Sequence, residues 1–196
     1  PEDAPLFYRR RFTLPAGFVK SRVILHFGAV DQTAEVWLNG VRLGAHVGGY
    51  APFSFDITDA LQDKNELRVR VEDHLSRHVL PYGKQKRERG GMWYTPVSGI
   101  WQTVWLESVP EDYVRAVRFE THKNRVKARI DGINNGILRV ENFAVEVQNG
   151  RAAFTVENPR LWSPENPYLY EVEIETAQEK VQSYFAFRSL EIKTVN

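Results

Sequence analysis

Several features that would point to common classes of protein are missing from this chain. Its 196 residues include no cysteine, which excludes a disulfide framework, a thiolate metal site and a cysteine nucleophile. No apolar run is long enough to span a membrane, and residues 1–5, PEDAP, do not resemble a signal peptide. We therefore expect a soluble protein that is not bound to a membrane, and the sequence does not distinguish a cytoplasmic from a periplasmic location.

The chain also lacks a net charge of either sign. It carries 26 basic and 25 acidic residues, for a formal net charge of +1. This balance argues against nucleic-acid binding as a general function. The one basic cluster of the sequence is residues 84–89 (KQKRER). The preferred interpretation is the solvated flank of a loop, and the alternative is that Lys84 or Arg87 reaches toward a sugar.

What the chain does contain is a series of short alternating segments typical of β-strands. They recur about every eight to twelve residues with Gly, Pro and Asn between them, a spacing that predicts a β-sandwich. Asn39-Gly40 between two such segments predicts a type I′ hairpin. Residues 66–71 predict an amphipathic edge strand, and Asp56 or Thr58 is the expected cap of a single helical turn.

The predicted strands become more polar and more charged after Pro110, and we therefore place the domain boundary there. The five strands expected beyond it lie near residues 113–121, 125–130, 137–148, 168–176 and 180–192. The segment has about the length of an immunoglobulin-like domain. We predict an all-β protein with one sandwich domain over residues 1–110 and a second over residues 111–196.

The segment between residues 74 and 99 has no periodicity, yet it is rich in aromatic residues. A long insertion of this kind in a compact domain is either functional or disordered, and its aromatic content argues against disorder. Trp93 and Tyr94 follow two glycines, and we leave open whether they stack on a sugar or pack between domains. A strand is expected from Ile100 onward, and for its residues Trp101 and Trp105 a packing role is preferred to contact with a sugar.

Two groups of motifs resemble glycoside hydrolase family 2, which contains β-galactosidases, β-glucuronidases and β-mannosidases. In the first half these are residues 34–40 (AEVWLNG), 49–58 (GYAPFSFDIT), 83–85 (GKQ) and 98–107 (SGIWQTVWLE). In the second half they are residues 158–170 (NPRLWSPENPYLY) and 185–192 (FAFRSLEI), with Ala186 where the family usually has glycine. The resemblance implies a jelly-roll, galactose-binding-like domain followed by an immunoglobulin-like domain.

The same resemblance implies that the catalytic centre lies in a TIM barrel that follows these two domains. We therefore expect the chain to be an N-terminal piece of a retaining glycosidase, with no catalytic residue, no metal site and no cofactor of its own. In some β-galactosidases of the family the loop reads Asp-Met-Trp, and that aspartate reaches the active site. Here Gly91 takes its position. The candidate substrate-binding residues are Trp93, Tyr94, Lys84 and Arg87, and they would form a wall of the barrel's cleft.

Other candidate groups have simpler interpretations. Asn65-Glu66 is similar to the acid/base dipeptide of such barrels, but a solvated turn is favoured here. His74 and His78 are four residues apart, a spacing that forms a metal site only on a helix, and the nearby Pro81 disfavours one.

Two rival functions for the isolated chain stay open. One is a free-standing carbohydrate-binding module, and the other is a structural piece that supports folding and oligomer contacts of a parent enzyme. The expected partners are a carbohydrate, bound through the barrel, the barrel itself, and in the parent protein possible further copies of the chain.

Overall fold

The computed structural model describes residues 4–74, 81 and 83–190 of the chain. It divides into two compact units, Pro1–Val109 and Pro110–Asn196. Within the described part, no helix is long and apolar enough to cross a membrane. Each unit is built almost wholly from antiparallel strands, as the alternating sequence pattern predicts.

The described residues of the first unit form nine strands and one short 3-10 turn. The strands are β1 (Leu6–Phe12), β2 (Arg22–Phe27), β3 (Val30–Asp31), β4 (Thr33–Leu38), β5 (Val41–Val47), β6 (Phe53–Asp56), β7 (Asn65–Glu72), β8 (Gly99–Ile100) and β9 (Val104–Val109), and the turn is Thr58–Ala60. A four-stranded sheet has the order β1-β7-β4-β5 and a three-stranded sheet the order β6-β2-β9, while β3 pairs with β8.

The core of the first unit is formed by the inward-facing residues of both larger sheets. Alternate residues of β2, β4 and β7 are buried, and they are Val23, Leu25, Phe27, Ala34, Val36, Leu38, Leu67, Val69 and Val71. Burying each large aliphatic or aromatic side chain of this set contributes roughly 1.5–3 kcal/mol. The sandwich predicted from the alternation is therefore confirmed, and its core lies between the two sheets.

The Asn39-Gly40 hairpin is confirmed, but the expectation that residues 66–71 form an edge strand is wrong. Asn39 and Gly40 have φ angles of 52° and 84°, as a type I′ turn requires. β7 is not an edge strand, because it pairs with both β1 and β4. Asn65 is only 2% exposed, so the expected solvated turn is wrong. Its side chain accepts hydrogen bonds from Asn39 Nδ2 (2.9 Å) and from the Gln62 amide (2.9 Å).

Two local expectations near the first unit's other strands need correction. The residue that caps the 3-10 turn is Ile57, and Asp56 Oδ1 instead accepts from the Thr58 amide at 3.0 Å. Thr58 Oγ1 accepts from the Val23 amide at 3.0 Å and so ties the turn to β2. The strand expected from Ile100 onward is interrupted between β8 and β9.

The described residues of the second unit form seven strands. They are β10 (Ala116–His122), β11 (Arg125–Asp131), β12 (Asn135–Val140), β13 (Phe143–Gln148), β14 (Arg151–Thr155), β15 (Tyr170–Glu175) and β16 (Lys180–Phe185), hydrogen-bonded in the order β10-β11-β14-β13-β12-β15-β16. Within this part of the chain, only the pair Gln148↔Arg151 joins β13 to β14. The strands on either side of this link pack on one shared core, which includes Ala128 and Ala152 from one side and Val140 and Ile174 from the other.

Three sequence-based strand assignments in the second unit differ from the structure. The expected strand 137–148 is two strands, because Glu141 adopts a φ of 45° and the chain reverses there. β14 was not anticipated. The closing strand ends at Phe185, and Phe187 forms an isolated bridge to Leu161, while residues 191 and 192 of the expected strand lie outside the described residues.

Candidate functional site

The candidate site is the segment that runs from Gly83 to Ser98, between β7 and β8. Its backbone forms a small ribbon in which the Tyr94 amide donates to the Lys84 carbonyl (2.7 Å) and the Lys86 amide to the Tyr94 carbonyl (3.2 Å). The Trp93 amide donates to the Gly90 carbonyl at 3.1 Å and closes a tight turn at the tip. Gly90 and Gly91 both have positive φ there. These bonds explain how a glycine-rich sequence can hold large rings in place.

Trp93 and Tyr94 differ in the fraction of the side chain that is exposed to solvent. Tyr94 is 68% exposed. Trp93 is half-buried, and the Lys86 ammonium lies 4.0 Å from the centroid of its ring. A cation at this distance is attracted to the ring and occupies one of its faces. Tyr94 is therefore the more accessible of the two rings for contact with another molecule.

The structure brings three of the four candidate binding residues together. Lys84 is exposed, and its carbonyl accepts the hydrogen bond from the Tyr94 amide. Trp93 directly precedes Tyr94 in the chain and lies on the same side of the ribbon as Tyr94. Arg87 is exposed and lies three residues after Lys84, on the side of the ribbon opposite Tyr94 and nearer to the tip. Whether any of the four contacts a sugar stays a prediction.

Gln85 anchors the ribbon to the core of the first unit through its side-chain amide group. The side chain of Gln85 forms a hydrogen bond with the carboxyl of Asp31, which belongs to β3. Gln85 Oε1 accepts a hydrogen bond from the Val97 amide. A second anchor lies beside it, because Ser98 Oγ donates to Asp73 Oδ2 at 2.6 Å. The segment is thus fixed at both of its ends.

Asp31 is an unusual anchor because it is only 7% exposed. Burial, followed by the negative charge of Asp73, raises the pKa of its carboxyl from 3.8 to about 6, and the hydrogen bond from Gln85 opposes the rise. Asp31 Oδ1 has no hydrogen-bond partner in the described part of the chain, and neither has Asp73 Oδ1. A side chain at residue 49 would begin 2.5 Å from Asp31 Oδ1, so only Gly49 fits there.

Trp101 and Trp105 both pack on neighbouring side chains, yet each stays about half exposed. Trp101 Nε1 donates to the Gly49 carbonyl at 2.8 Å, and its ring meets Tyr50 edge-on. Trp105 stacks on His26 with the two ring centroids 4.7 Å apart. The exposed fractions of the two indoles are 47% and 43%.

The remaining candidates have structural contacts or lie outside the described residues. Glu66 lies within 3.0 Å of the guanidinium groups of both Arg11 and Arg68, and the hydrogen bond from Arg11 leads the causes that lower its pKa. His78 lies outside the described residues, and among those described no group of three or more His, Asp or Glu side chains could hold a metal ion.

The sequence did not reveal Asp31, Asp73 or Gln85 as parts of one arrangement. Gln85 belongs to the GKQ motif, and this was the single available signal. Asp31 follows two apolar residues and Asp73 follows the alternating strand β7, and an acidic residue at either place marks nothing by itself. Only their placement in space shows that they hold the aromatic segment.

Comparison with known proteins identifies the family of the chain. Residues 2–115 match the model of the glycosyl hydrolase 2 galactose-binding domain-like family, and residues 110–188 match the model of glycosyl hydrolases family 2. Both predicted domain types are therefore found, in the expected order.

Individual relatives agree with this assignment. A putative β-glucuronidase of Formosa agariphila is 28% identical over 86% of this chain and 23% of its own length. A β-galactosidase of Thermoanaerobacter pseudethanolicus is 26% identical over 93% of this chain and 28% of its own length. The β-glucuronidase of Faecalibacterium prausnitzii superimposes with a TM-score of 0.76 at 25% identity, over 96% of this chain and 38% of that one.

The chain thus spans about a quarter to a third of the length of the curated relatives that it matches, and the match covers their N-terminal part. Its two β-sandwich units correspond in order to the two family models. The chain belongs to glycoside hydrolase family 2.

Proposed function

We propose that the chain is the non-catalytic N-terminal part of a retaining glycosidase that removes terminal β-linked sugars. In this proposal residues 1–110 are its sugar-binding-like domain and residues 111–196 its immunoglobulin-like domain. The names of its relatives, β-glucuronidases and β-galactosidases, support the substrate class. The segment around Tyr94 would line one wall of the substrate cleft in a barrel supplied by the rest of the enzyme.

The observation that carries this proposal is the double anchor of the aromatic segment. A loop that only filled space would need neither the Gln85–Asp31 hydrogen bond nor the hydrogen bond from Ser98 Oγ to Asp73 Oδ2 at 2.6 Å. The anchors tie the ribbon to the first unit while Tyr94 stays 68% exposed. An aromatic ring that is fixed in position and accessible can stack on the C–H face of a pyranose at low entropic cost.

Three acidic residues of the first unit support a non-catalytic role. A retaining glycosidase needs two carboxyl groups about 5 Å apart that both reach the substrate. Asp31 is buried, and Glu66 is held by two arginines. Asp56 pairs with Arg22 at 3.0 Å. These carboxyl groups serve the fold.

The experiment that tests the proposal compares the chain alone with a chimera. In the chimera the chain replaces the matching N-terminal region of the Faecalibacterium β-glucuronidase. We expect no hydrolysis of p-nitrophenyl β-glucuronide or β-galactoside by the chain alone, and turnover by the folded chimera. Hydrolysis by the isolated chain, or a folded chimera without turnover, would contradict the proposal.

A free-standing carbohydrate-binding module is the second candidate, and the exposure of Tyr94 favours it. Calorimetric titration of the isolated chain with galactosides and glucuronides separates the two. Binding in the millimolar range or tighter supports the module, whereas no binding supports a wall that acts only beside the barrel.

A further inference from the structure

A row of three arginines crosses the outer face of the second unit. Arg118 on β10 is paired in register with Arg129 on β11, and Arg129 is paired with Arg151 on β14. All three side chains are exposed. Adjacent strands lie about 5 Å apart, so the Cα atoms of the three arginines are spaced regularly across the sheet.

Such a row is unfavourable for folding alone. Like charges directly opposite each other on neighbouring strands destabilise a sheet. Only Arg129 has a compensating partner, Asp131, whose Oδ1 lies 3.0 Å from Arg129 Nε. Within the described part of the chain, neither Arg118 nor Arg151 forms an ion pair. The arrangement therefore has two cations that the described part of the fold does not neutralise.

The surroundings of the row form a groove and not a flat surface. The groove has a volume of about 690 Å³ and is lined by the arginine row and by Lys127, Gln148 and the small residue Ala153, with Glu120 as its one acidic member. Lys127 and Ala153 also face each other across β11 and β14. They lie two residues along the strands from Arg129 and Arg151 and therefore on the same face of the sheet. The small side chain of Ala153 beside the row leaves room for a molecule to lie across the strands.

The charge of this face contrasts with that of the strands β12, β15 and β16. There Arg139 and Lys180 are matched by Glu173 and Glu175, with Arg139 Nη2 2.8 Å from Glu175 Oε2 and Lys180 Nζ 3.2 Å from both glutamates. Basic residues on that face are thus neutralised by close partners. Of these two groups of basic residues in the described part of the second unit, only the arginine row has cations without close acidic partners.

We propose that the arginine row is a binding site for an anionic oligosaccharide, carboxylated or sulfated. Because the three arginines are in register across three neighbouring strands, one chain that lies across the strands can bring more than one anionic group to them. The planar guanidinium binds carboxylate and similar oxyanions through two parallel hydrogen bonds. The site lies in the second unit, and it does not depend on the proposed role of Tyr94.

The test measures binding of size-defined oligosaccharides to the full chain at about 50 mM and about 300 mM NaCl, where screening differs strongly. The probes are an oligogalacturonate, a heparin-derived hexasaccharide, the neutral cellohexaose and a single-stranded oligonucleotide of the same charge. We expect at least one of the two anionic oligosaccharides to bind more tightly than the oligonucleotide, with affinity lost at high salt, and no binding of cellohexaose.

The decisive variant is Arg118→Gln/Arg151→Gln, with Arg139→Gln/Lys180→Gln as a control of equal charge change. We expect the first variant to bind about tenfold or more weakly, as loss of charge-assisted hydrogen bonds implies, and the control to bind within about twofold of the wild type. The unfolding midpoint of the first variant should stay the same or rise, because like charges are removed. Equal loss in both variants, equal binding of the oligonucleotide, or no binding at low salt would overturn the proposal.

Discussion

The amide group of Gln85 joins the buried carboxyl of Asp31 to the aromatic segment that carries Tyr94. The two hydrogen-bonded residues are more than fifty positions apart in the chain, and their bond ties an irregular segment to β3 of the first unit. Changes at either partner should therefore alter the segment without unfolding the sandwich.

Replacing Gln85 by glutamate removes the N–H donor and adds a further negative charge beside Asp31 and Asp73. We expect faster tryptic cleavage within residues 84–89 and a loss of roughly 1–2 kcal/mol of unfolding free energy, the size expected for a broken hydrogen bond at a buried acceptor. Limited proteolysis and urea unfolding measure the two effects. Gln178→Glu, at an exposed turn, is the control and should change neither. Unchanged cleavage in the Gln85 variant would show that the anchor does not hold the segment.

Replacing Asp31 by asparagine should stabilise the protein at high pH. The folded state raises the pKa of Asp31 from 3.8 to about 6, so folding favours the protonated form and stability falls as the pH rises from about 4 to above 6. The substituted side chain cannot ionise, and it keeps an acceptor for Gln85. Since one pKa unit corresponds to about 1.4 kcal/mol, the variant should gain at most about 3 kcal/mol at pH 7.5.

The measurement is urea unfolding at pH 4, 6 and 7.5. The advantage of the variant should be largest at pH 7.5 and should shrink toward pH 4. A variant that is less stable than the wild type at pH 7.5 would mean that the ionised carboxyl stabilises the fold.

Gly91 can accept the aspartate that some β-galactosidases of the family carry at this position. Its φ of 58° lies in the left-handed region, which Asp and Asn tolerate better than other residues, and a Cβ would meet nothing within 4 Å. We expect Gly91→Asp to fold with a loss of no more than about 1 kcal/mol. In the chimera it should lower KM for β-galactosides several-fold, while Gly91→Asn, which has the same backbone preference and no charge, should not. Equal KM values in both variants would separate this loop from the sugar.

Asn65 should be among the most sensitive polar residues of the first unit. Its removal leaves the Gln62 amide and the Asn39 side chain without the acceptor that Asn65 Oδ1 provides. Asn65→Ala should cost about 2–3 kcal/mol of unfolding free energy, whereas the exposed Asn134→Ala should cost less than about 0.5 kcal/mol. Thermal and urea unfolding of the two variants provide the comparison, and a small effect at Asn65 would show that water replaces the lost bonds.

Local patterns predicted the elements whose reasons are local. The Asn39-Gly40 hairpin follows from two residues that accept positive φ, and the alternation in β2 and β7 follows from one buried face. The family resemblance was carried by contiguous motifs such as SGIWQTVWLE, and the comparisons confirmed it.

The errors arose where the evidence in the sequence was weak or distant. The inward residues shift from even positions, Leu138 and Val140, to odd positions, Val145 and Val147, and this change of parity marks the turn that was missed. β14 was missed because its buried residue, Ala152, is small, so the alternation of large apolar and polar residues that predicts a strand is weak there. The Gln85 anchor and the arginine row depend on register and on long-range contacts, and no local pattern contains them.

The most direct test of the account is the effect of Tyr94→Ala on the kinetics of the chimera. Tyr184→Ala is the matched control, because Tyr184 is 63% exposed against 68% for Tyr94 and lies on β16. If Tyr94 stacks on the bound sugar, its loss should raise KM by roughly 2- to 12-fold, equivalent to about 0.5–1.5 kcal/mol, with kcat much less affected. Tyr184→Ala should leave both constants unchanged. Equal kinetics in the two variants would contradict the claim that this segment forms a wall of the substrate cleft.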